Sequence, residues 1–368
     1  MPTSQFKKLR VGVLFGGRSA EHEVSLASGR AIMSNLDQSR YEIVPILITL
    51  EGSWRILPKP EAEPEEGSEV FFPPVPGKNT LLFPEGGEAG IIDVFFPIIH
   101  GTFGEDGTLQ GLLEMAGAAF VGPGCLSSAV SMDKTAAKAL LRAAGLPVLP
   151  SLNIIQSRWE VDRAGIIDDA SSDIGFPLFV KPASTGSSVG IHRVESAKEF
   201  TAAVDNAFSY DFKVLIEEEA KGRELECAVI EDPSGGPPLA SPLAEIRPLK
   251  GWYDYEAKYT LGKTEVIIPA DISGGAKGKM QEIARTAFGA LGCSGLARVD
   301  FFFRETRGEI YINELNTLPG FTELSGYPKM IAKAGIDYSS MLDRLIECAL
   351  ARQARTNKRL YRKTDNLS

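Results

Sequence analysis

Apolar residues along this chain change their spacing several times, and each change marks a predicted element. Val11-Gly-Val-Leu-Phe15 is an unbroken apolar run closed by Gly16-Gly17, which predicts a buried strand and a glycine turn. Ser19 then stands where a helix cap belongs, ahead of a helical pattern reaching toward Leu36. Tyr41 to Leu50 predicts a second strand, Ile91 to Ile99 another that ends at His100-Gly101, and Leu109 to Gly117 a helix. This alternation predicts an α/β domain on a parallel sheet, ending near Pro123. Within it, Glu51 to Lys78 is rich in proline, glutamate and glycine, which predicts a surface insertion that packs little.

The pattern after Pro123 is different. Asp133 to Ala144 predicts a helix stopped by Gly145 and Pro147. Pro177 to Lys181 and Ile191 to Val194 predict strands on either side of a Gly/Ser loop, Ala183 to Gly190. Lys213 to Glu218 and Glu224 to Glu231 are further strands, Gly235 to Pro238 a turn, and Lys279 to Leu291 an amphipathic helix. A chain of 368 residues exceeds what one core usually supports. The expected division is an N-terminal domain over 1–130 with its insertion at 51–78, a central lobe over 131–235, a C-terminal lobe over 236–350 and a basic tail over 351–368.

Composition narrows the function by exclusion. A net charge of -9 argues against a nucleic-acid surface, which needs clustered Lys and Arg. The tail carrying Arg352, Arg355, Lys358, Arg359, Arg362 and Lys363 reads as a solvated terminus. Cys125, Cys227, Cys293 and Cys348, and His22, His100 and His192, lack metal-ligand spacing, so zinc chemistry is not expected. No run is long enough to span a bilayer, and Val11 to Phe15 is too short for a signal segment; a cytoplasmic protein with reduced thiols is expected.

The chemistry concentrates near the C-terminal end. Leu296 to Phe303 and Ile310 to Asn316 flank Thr306-Arg307-Gly308, a three-residue hairpin loop. Pairing about Arg307 sets Asp300 opposite Glu314 and Arg298 opposite Asn316. Side chains alternate along a strand and cross-strand partners share a face, so the four groups converge. Two carboxylates and an amide oxygen make a hard donor set suited to Mg²⁺ held together with phosphates. Lys181-Pro-Ala-Ser-Thr-Gly-Ser-Ser-Val-Gly190 adds backbone N–H groups and hydroxyls able to wrap phosphate oxygens, although it is no Walker loop. With Lys134 and Lys181 it suggests a nucleoside-triphosphate pocket. A nicotinamide enzyme is the rival suggested by the first glycine turn, which lacks a full Gly-x-Gly-x-x-Gly; a non-catalytic ATP sensor is another.

These stretches resemble one family. Gly16-Gly-Arg-Ser-Ala-Glu-His-Glu-Val-Ser-Leu26, His100-Gly, Gly104-Glu-Asp-Gly-Thr-Leu-Gln-Gly111, Met132-Asp-Lys134, Lys181 to Gly190, Tyr253-Asp-Tyr-Glu-Ala-Lys-Tyr259, Gly295-Leu-Ala-Arg-Val-Asp300 and Asn313-Glu-Leu-Asn-Thr-Leu-Pro-Gly-Phe-Thr322 follow the order of the D-alanine:D-alanine ligases. The resemblance implies an ATP-grasp fold, α/β with α+β lobes behind an N-terminal parallel-sheet domain. It implies two D-alanine molecules joined through an acyl phosphate at the expense of ATP, for peptidoglycan precursors. Lys134, Lys181, Ser188 and Lys258 then meet the nucleotide phosphates, while Glu217, Glu218, Ala220 and Glu224 lie around adenine and ribose. Asp300, Glu314 and Asn316 resemble the ligands of two Mg²⁺ (or Mn²⁺) ions, and Arg298 with the Gly320 N–H the pair that steadies the oxyanion. Glu21 resembles the residue receiving the first D-alanine ammonium, linked through Ser187 to Tyr259, with His100 nearby. Ser325 and Gly326 match the seat of the second carboxylate, although Glu323-Leu324 departs from the small or polar residues usual there. Tyr253 to Tyr259 matches a flap, a homodimer is usual in the family, and Tyr259 favours the dipeptide over D-alanyl-D-lactate or D-alanyl-D-serine.

Overall fold

The computed structural model describes residues 7–186, 189–248 and 264–360. The N-terminal domain opens with β1 (Leu9–Gly16), α1 (His22–Asn35) and β2 (Tyr41–Ile48). There follow β3 (Trp54–Ile56), β4 (Ser68–Val70), a small hairpin of β5 (Thr80–Leu82) and β6 (Glu88–Ile91), then β7 (Val94–Pro97) and α2 (Thr108–Met115). The main sheet runs β4-β3-β2-β1-β7, with β2, β1 and β7 parallel. Both faces of β1 are covered, Val11, Val13 and Phe15 meeting one core and Leu14 the other, which is why the strand is uncharged from Val11 onward.

Two local expectations are corrected here. The segment 51–78 does pack: β3 and β4 extend the sheet antiparallel, and Leu57, Val70 and Phe72 are buried, Phe72 edge-on to Phe95 at 4.8 Å. A few apolar residues at strand spacing outweigh a polar average. Ser19 does not cap α1, whose N-cap is Glu21; its hydroxyl donates to the His100 carbonyl (2.8 Å) and accepts from the Glu21 N–H (3.2 Å). The loop's own backbone claims it.

Helices α3 (Cys125–Met132) and α4 (Lys134–Ala143) lead into the central lobe. That lobe comprises β8 (Ser151–Ile155), α5 (Gln156–Val161), α6 (Arg163–Asp169), β9 (Leu178–Pro182), β10 (His192–Val194), α7 (Ala197–Ala207) and β11 (Lys213–Glu218). Its antiparallel sheet, β10-β9-β11-β8, packs on Trp159 and Phe200. The C-terminal lobe begins with β12 (Arg223–Ile230), β13 (Leu239–Ala240), β14 (Ala244–Pro248), β15 (Thr264–Ile267) and α8 (Gly274–Ala290). It ends with β16 (Leu296–Arg304), β17 (Glu309–Asn316), α9 (Gly326–Lys333) and α10 (Tyr338–Thr356).

Strand β12 pairs with β14 and β16 whereas β11 pairs with β8 and β9, so the stretch 131–235 holds strands of two sheets. The two strands are adjacent in sequence but belong to different sheets, a separation that strand propensity does not reveal. Helix α10 continues through Thr356, and Arg352, expected in a solvated terminus, donates to the Phe120 and Gly122 carbonyls (2.6 and 2.5 Å). The N-terminal sheet, α9 and α10 share one core with Ala228, Ile230 and Leu296, which fixes the first domain against the last lobe.

Candidate active site

The hairpin of β16 and β17 carries the expected pairs, Arg298 with Asn316 and Asp300 with Glu314, by a route that differs from the prediction. The turn is one residue longer: a 3-10 turn over Glu305–Arg307 followed by Gly308 at φ 64, with Arg304 paired to Glu309. That register alone would set Asp300 opposite Asn313. A bulge adjusts it, since Phe301 pairs with Ile312 and Asp300 with Glu314, leaving Asn313 as the extra residue. Ile310 and Ile312 before the bulge and Leu315 after it face the core, while Glu314 and Asn316 join Arg298 and Asp300 on the other face.

These groups form an interlocked set. Arg298 donates to both oxygens of Asp300, each at 2.7 Å, and lies 3.3 Å from Glu226 Oε1. Glu226 sits on β12 directly opposite Asp300. Glu314 Oε2 is 3.9 Å from Lys134 Nζ, which also donates to the Thr185 carbonyl of the Gly/Ser loop at 2.7 Å. Asn316 Oδ1 is buried without a hydrogen-bond donor. An orphaned amide oxygen beside two carboxylates is what a hard divalent cation would complete, so the donor set fits Mg²⁺ or Mn²⁺. Among the described residues no group of three or more His, Cys, Asp or Glu is placed to hold a metal.

The cationic wall is deeper than the sequence suggested. Lys181 Nζ donates to Glu217 Oε2 at 2.6 Å, and Lys138 Nζ lies 2.5 Å from Glu217 Oε1. Glu217 is 1% exposed; burial alone would push its carboxyl up, but the two ammonium groups hold it below the ordinary value. Burial lowers the Lys138 ammonium in turn, against the pull of Glu217. The Glu217 side chain, expected near adenine and ribose, is therefore engaged by lysines. Glu218 accepts from Arg304 at 2.6 Å, Ala220 lies between β11 and β12 where the lobes meet, and Glu224 is two residues from Glu226 on β12. Lys138 follows Lys134 by one helical turn on α4, and Glu226 shares a strand face with Glu224; these spacings were the available signals for two residues the sequence reading missed.

The N-terminal domain closes the third side. A Cβ on Gly101, whose φ is +74, would fall 2.7 Å from Glu21 Oε2, and one on Gly186 would fall 3.5 Å from the same atom. Glu21, the His100-Gly101 turn and the Gly/Ser loop thus meet. His100 is buried, and desolvation lowers its pKa against the pull of Glu21. Glu105, also missed, accepts from the Gly101 N–H (2.7 Å) and the Leu318 N–H (3.2 Å); burial and the neighbouring Glu21 push its carboxyl up to about 8. Gly320 is close-packed, a Cβ there falling 2.8 Å from Ser325 Oγ. Ser325 precedes α9 and bonds to Thr322, and a Cβ on Gly326 would fall 3.1 Å from Glu226 Oε2. Leu324 is exposed. Ser187, Ser188, Lys258, Tyr259 and the rest of 253–259 lie outside the described residues.

One sheet carrying Lys181 and Glu217, a second carrying the acidic hairpin, and the α4 lysines that touch both define an ATP-grasp ligase. Family models described as the D-ala D-ala ligase N-terminus and C-terminus match residues 10–123 and 140–347. The chain belongs to the D-alanine–D-alanine ligase family. It is 45% identical over 354 residues to the D-alanine–D-alanine ligase of Natranaerobius thermophilus, covering 94% of this chain and 96% of that one. It is also 45% identical over 358 residues to D-alanine–D-alanine ligase A of Mesorhizobium japonicum, covering 94% and 98%. Among solved structures, the D-alanine-D-alanine ligase from Coxiella burnetii aligns with a TM-score of 0.83 at 34% identity, covering 96% and 97% of the two chains. The VanG D-Ala:D-Ser ligase from Enterococcus faecalis aligns at 0.82 with 37% identity, covering 93% and 100%.

Proposed function

We propose that this enzyme joins two D-alanine molecules to D-alanyl-D-alanine in two steps, phosphorylation of the first carboxylate by ATP and attack of the second amine on the acyl phosphate. The observation that carries the reading is the hairpin face on which Arg298, Asp300, Glu314 and Asn316 converge beside Lys134. Asp300, Glu314 and Asn316 are the residues that would hold two Mg²⁺ or Mn²⁺ ions. A bound divalent ion there would neutralise phosphoryl charge. Lys134 and Lys181, with Lys258, hold the transferred phosphate, and Glu217 holds Lys181 in place through the contacts already given.

Arg298 and the Gly320 N–H receive the oxyanion of the tetrahedral intermediate, an electrostatic role that works best when the donors are fixed in advance. Glu21, with Ser187 and Tyr259, receives the first ammonium; Ser325 and Gly326 receive the second carboxylate. Glu218, Ala220 and Glu224 border the nucleotide at the junction of the lobes. The enzyme acts in the cytoplasm, where its four free thiols stay reduced, and as a homodimer, which light scattering would check.

The likeness to a D-Ala:D-Ser ligase makes the acceptor the point to measure. ADP release with D-alanine, against L-alanine, D-serine and D-lactate, with mass spectrometry of the product, is expected to give the D-Ala dipeptide. A faster reaction with D-serine or D-lactate would overturn that specificity. Glu314→Gln is expected to lower phosphoryl transfer by about two orders of magnitude or more with the fold intact, because one anionic donor is lost. Near-normal turnover of this variant would sink the metal assignment.

A further inference from the structure

The stretch from Leu318 to Phe321 leaves the sheet and carries Gly320, yet its peptide groups are held largely from another domain. The Leu318 N–H donates to Glu105 Oε1 at 3.2 Å, and the Leu318 carbonyl accepts from His100 Nδ1 at 2.9 Å. The Phe321 N–H donates to Ser28 Oγ at 3.3 Å, and Ser28 Oγ lies 3.1 Å from His100 Nε2. We propose that Glu105, His100 and Ser28 are positioning residues, a latch from the N-terminal domain that fixes this backbone and with it the direction of the Gly320 N–H. The proposal rests on the reading of Gly320 as an oxyanion donor.

The proton pattern is self-consistent. A carbonyl can only accept, so His100 carries its proton on Nδ1 and leaves Nε2 as an acceptor for the Ser28 hydroxyl. Ser28 Oγ is then free on its other side to accept from Phe321. Burial lowers the His100 pKa, which keeps the ring in this neutral form. Glu105 offers one oxygen to Leu318 and the other to Gly101, the two N–H groups that oppose the upward push on its carboxyl. A carboxylate can serve both donors; a carboxamide would turn its NH₂ toward one of them.

Packing already holds this region coarsely, since Phe321 is buried between Phe96 and Tyr327 with ring centroids 6.0 and 5.5 Å away. Ring contacts leave the tilt of the neighbouring peptide planes less defined than hydrogen bonds do. Ser28 and His100 are bonded to each other and reach Phe321 and Leu318, the residues on either side of Pro319-Gly320.

Glu105→Gln and Ser28→Ala test the latch. The first is assayed at pH 9, above the value of about 8 to which the Glu105 carboxyl is raised, so that the unsubstituted side chain is ionised. Two readouts are taken: hydrogen exchange of a peptide spanning 317–322, and the ratio of ADP released to dipeptide formed. The expected result is faster exchange in both variants, with dipeptide formation down by about tenfold to a hundredfold. D-alanine-dependent ADP release should fall less, so the ratio rises as acyl phosphate is lost to water. A merely structural role would lower both rates together and leave the ratio unchanged, which would overturn the proposal. Unchanged exchange in both variants overturns the latch itself. Faster exchange at an unchanged ratio, with normal turnover, overturns instead the oxyanion role of Gly320.

Discussion

Two lysines share Glu217, and the consequence is energetic as well as chemical. A buried carboxylate with one partner removed keeps its desolvation cost, so Lys138→Met is expected to destabilise the protein by about 3 kcal/mol. It should also weaken ATP binding, because the remaining charge pulls Lys181 more tightly onto Glu217 and away from phosphate. Denaturant unfolding and ATP titration check both effects; an unchanged midpoint would dismiss the triad as a stabilising unit. At Asp133, burial favours protonation but is outweighed by the Lys213 ammonium, the Thr135 hydroxyl and the Ala136 N–H, leaving the pKa below its ordinary 3.8. A depressed carboxylate stabilises the fold above its unfolded value and loses that contribution as pH falls through the folded one. Asp133→Asn should therefore cost about 1 kcal/mol or more near pH 7, with the gap to the unsubstituted protein closing as pH falls below 3.8 and through the lowered value. Parallel unfolding curves down to the acid limit would contradict this.

At the scale of elements, the hairpin shows how a sequence reading can reach the right pairs through the wrong turn. A three-residue loop and an even ladder give the same Asp300–Glu314 pairing as a longer turn followed by a bulge, because the two offsets cancel. The apolar phase of β17 recorded the bulge: Ile310 and Ile312 alternate, then Leu315 breaks step. Deleting Asn313 is expected to restore an even ladder in which Glu314 still faces Asp300 and Asn316 still faces Arg298. Mg²⁺-dependent nucleotide affinity, measured by calorimetry, should be largely kept. Loss of that affinity would mean that the bulge itself, and not only the pairing, shapes the site. The same reasoning explains why β3 and β4 were hidden in a Pro/Glu-rich segment: three-residue strands are too short for periodicity to register, and only their pairing to β2 defines them.

Over the whole molecule, the first domain and last lobe are joined by one shared core and by polar groups that reach across it. Arg352, half-buried, bridges Phe120, Gly122 and Ser294 and lies 4.2 Å over the Phe120 ring. Arg352→Ala is expected to cost about 2–4 kcal/mol by leaving several buried acceptors unpaired, and Arg352→Lys to recover only part, since one ammonium lacks the guanidinium fork. Unfolding at an unchanged denaturant midpoint would show that the shared core alone joins the two units.

The amino-acid sequence by itself determined the local signals: the apolar strands, the helix over Asp133 to Ala144, the glycine-bounded turns, and the ordered motifs that carry the family resemblance. Each depends on residues close together in the chain, where spacing and chemistry are read directly. Only the tertiary structure decided that β11 and β12 belong to different sheets, that Lys138 answers Glu217, and that Glu105 and Ser28 reach Leu318 and Phe321 across 213 and 293 residues. A buried charge or peptide group must find a partner, but which partner is set by how the domains close on one another, and that closure has no local pattern to announce it.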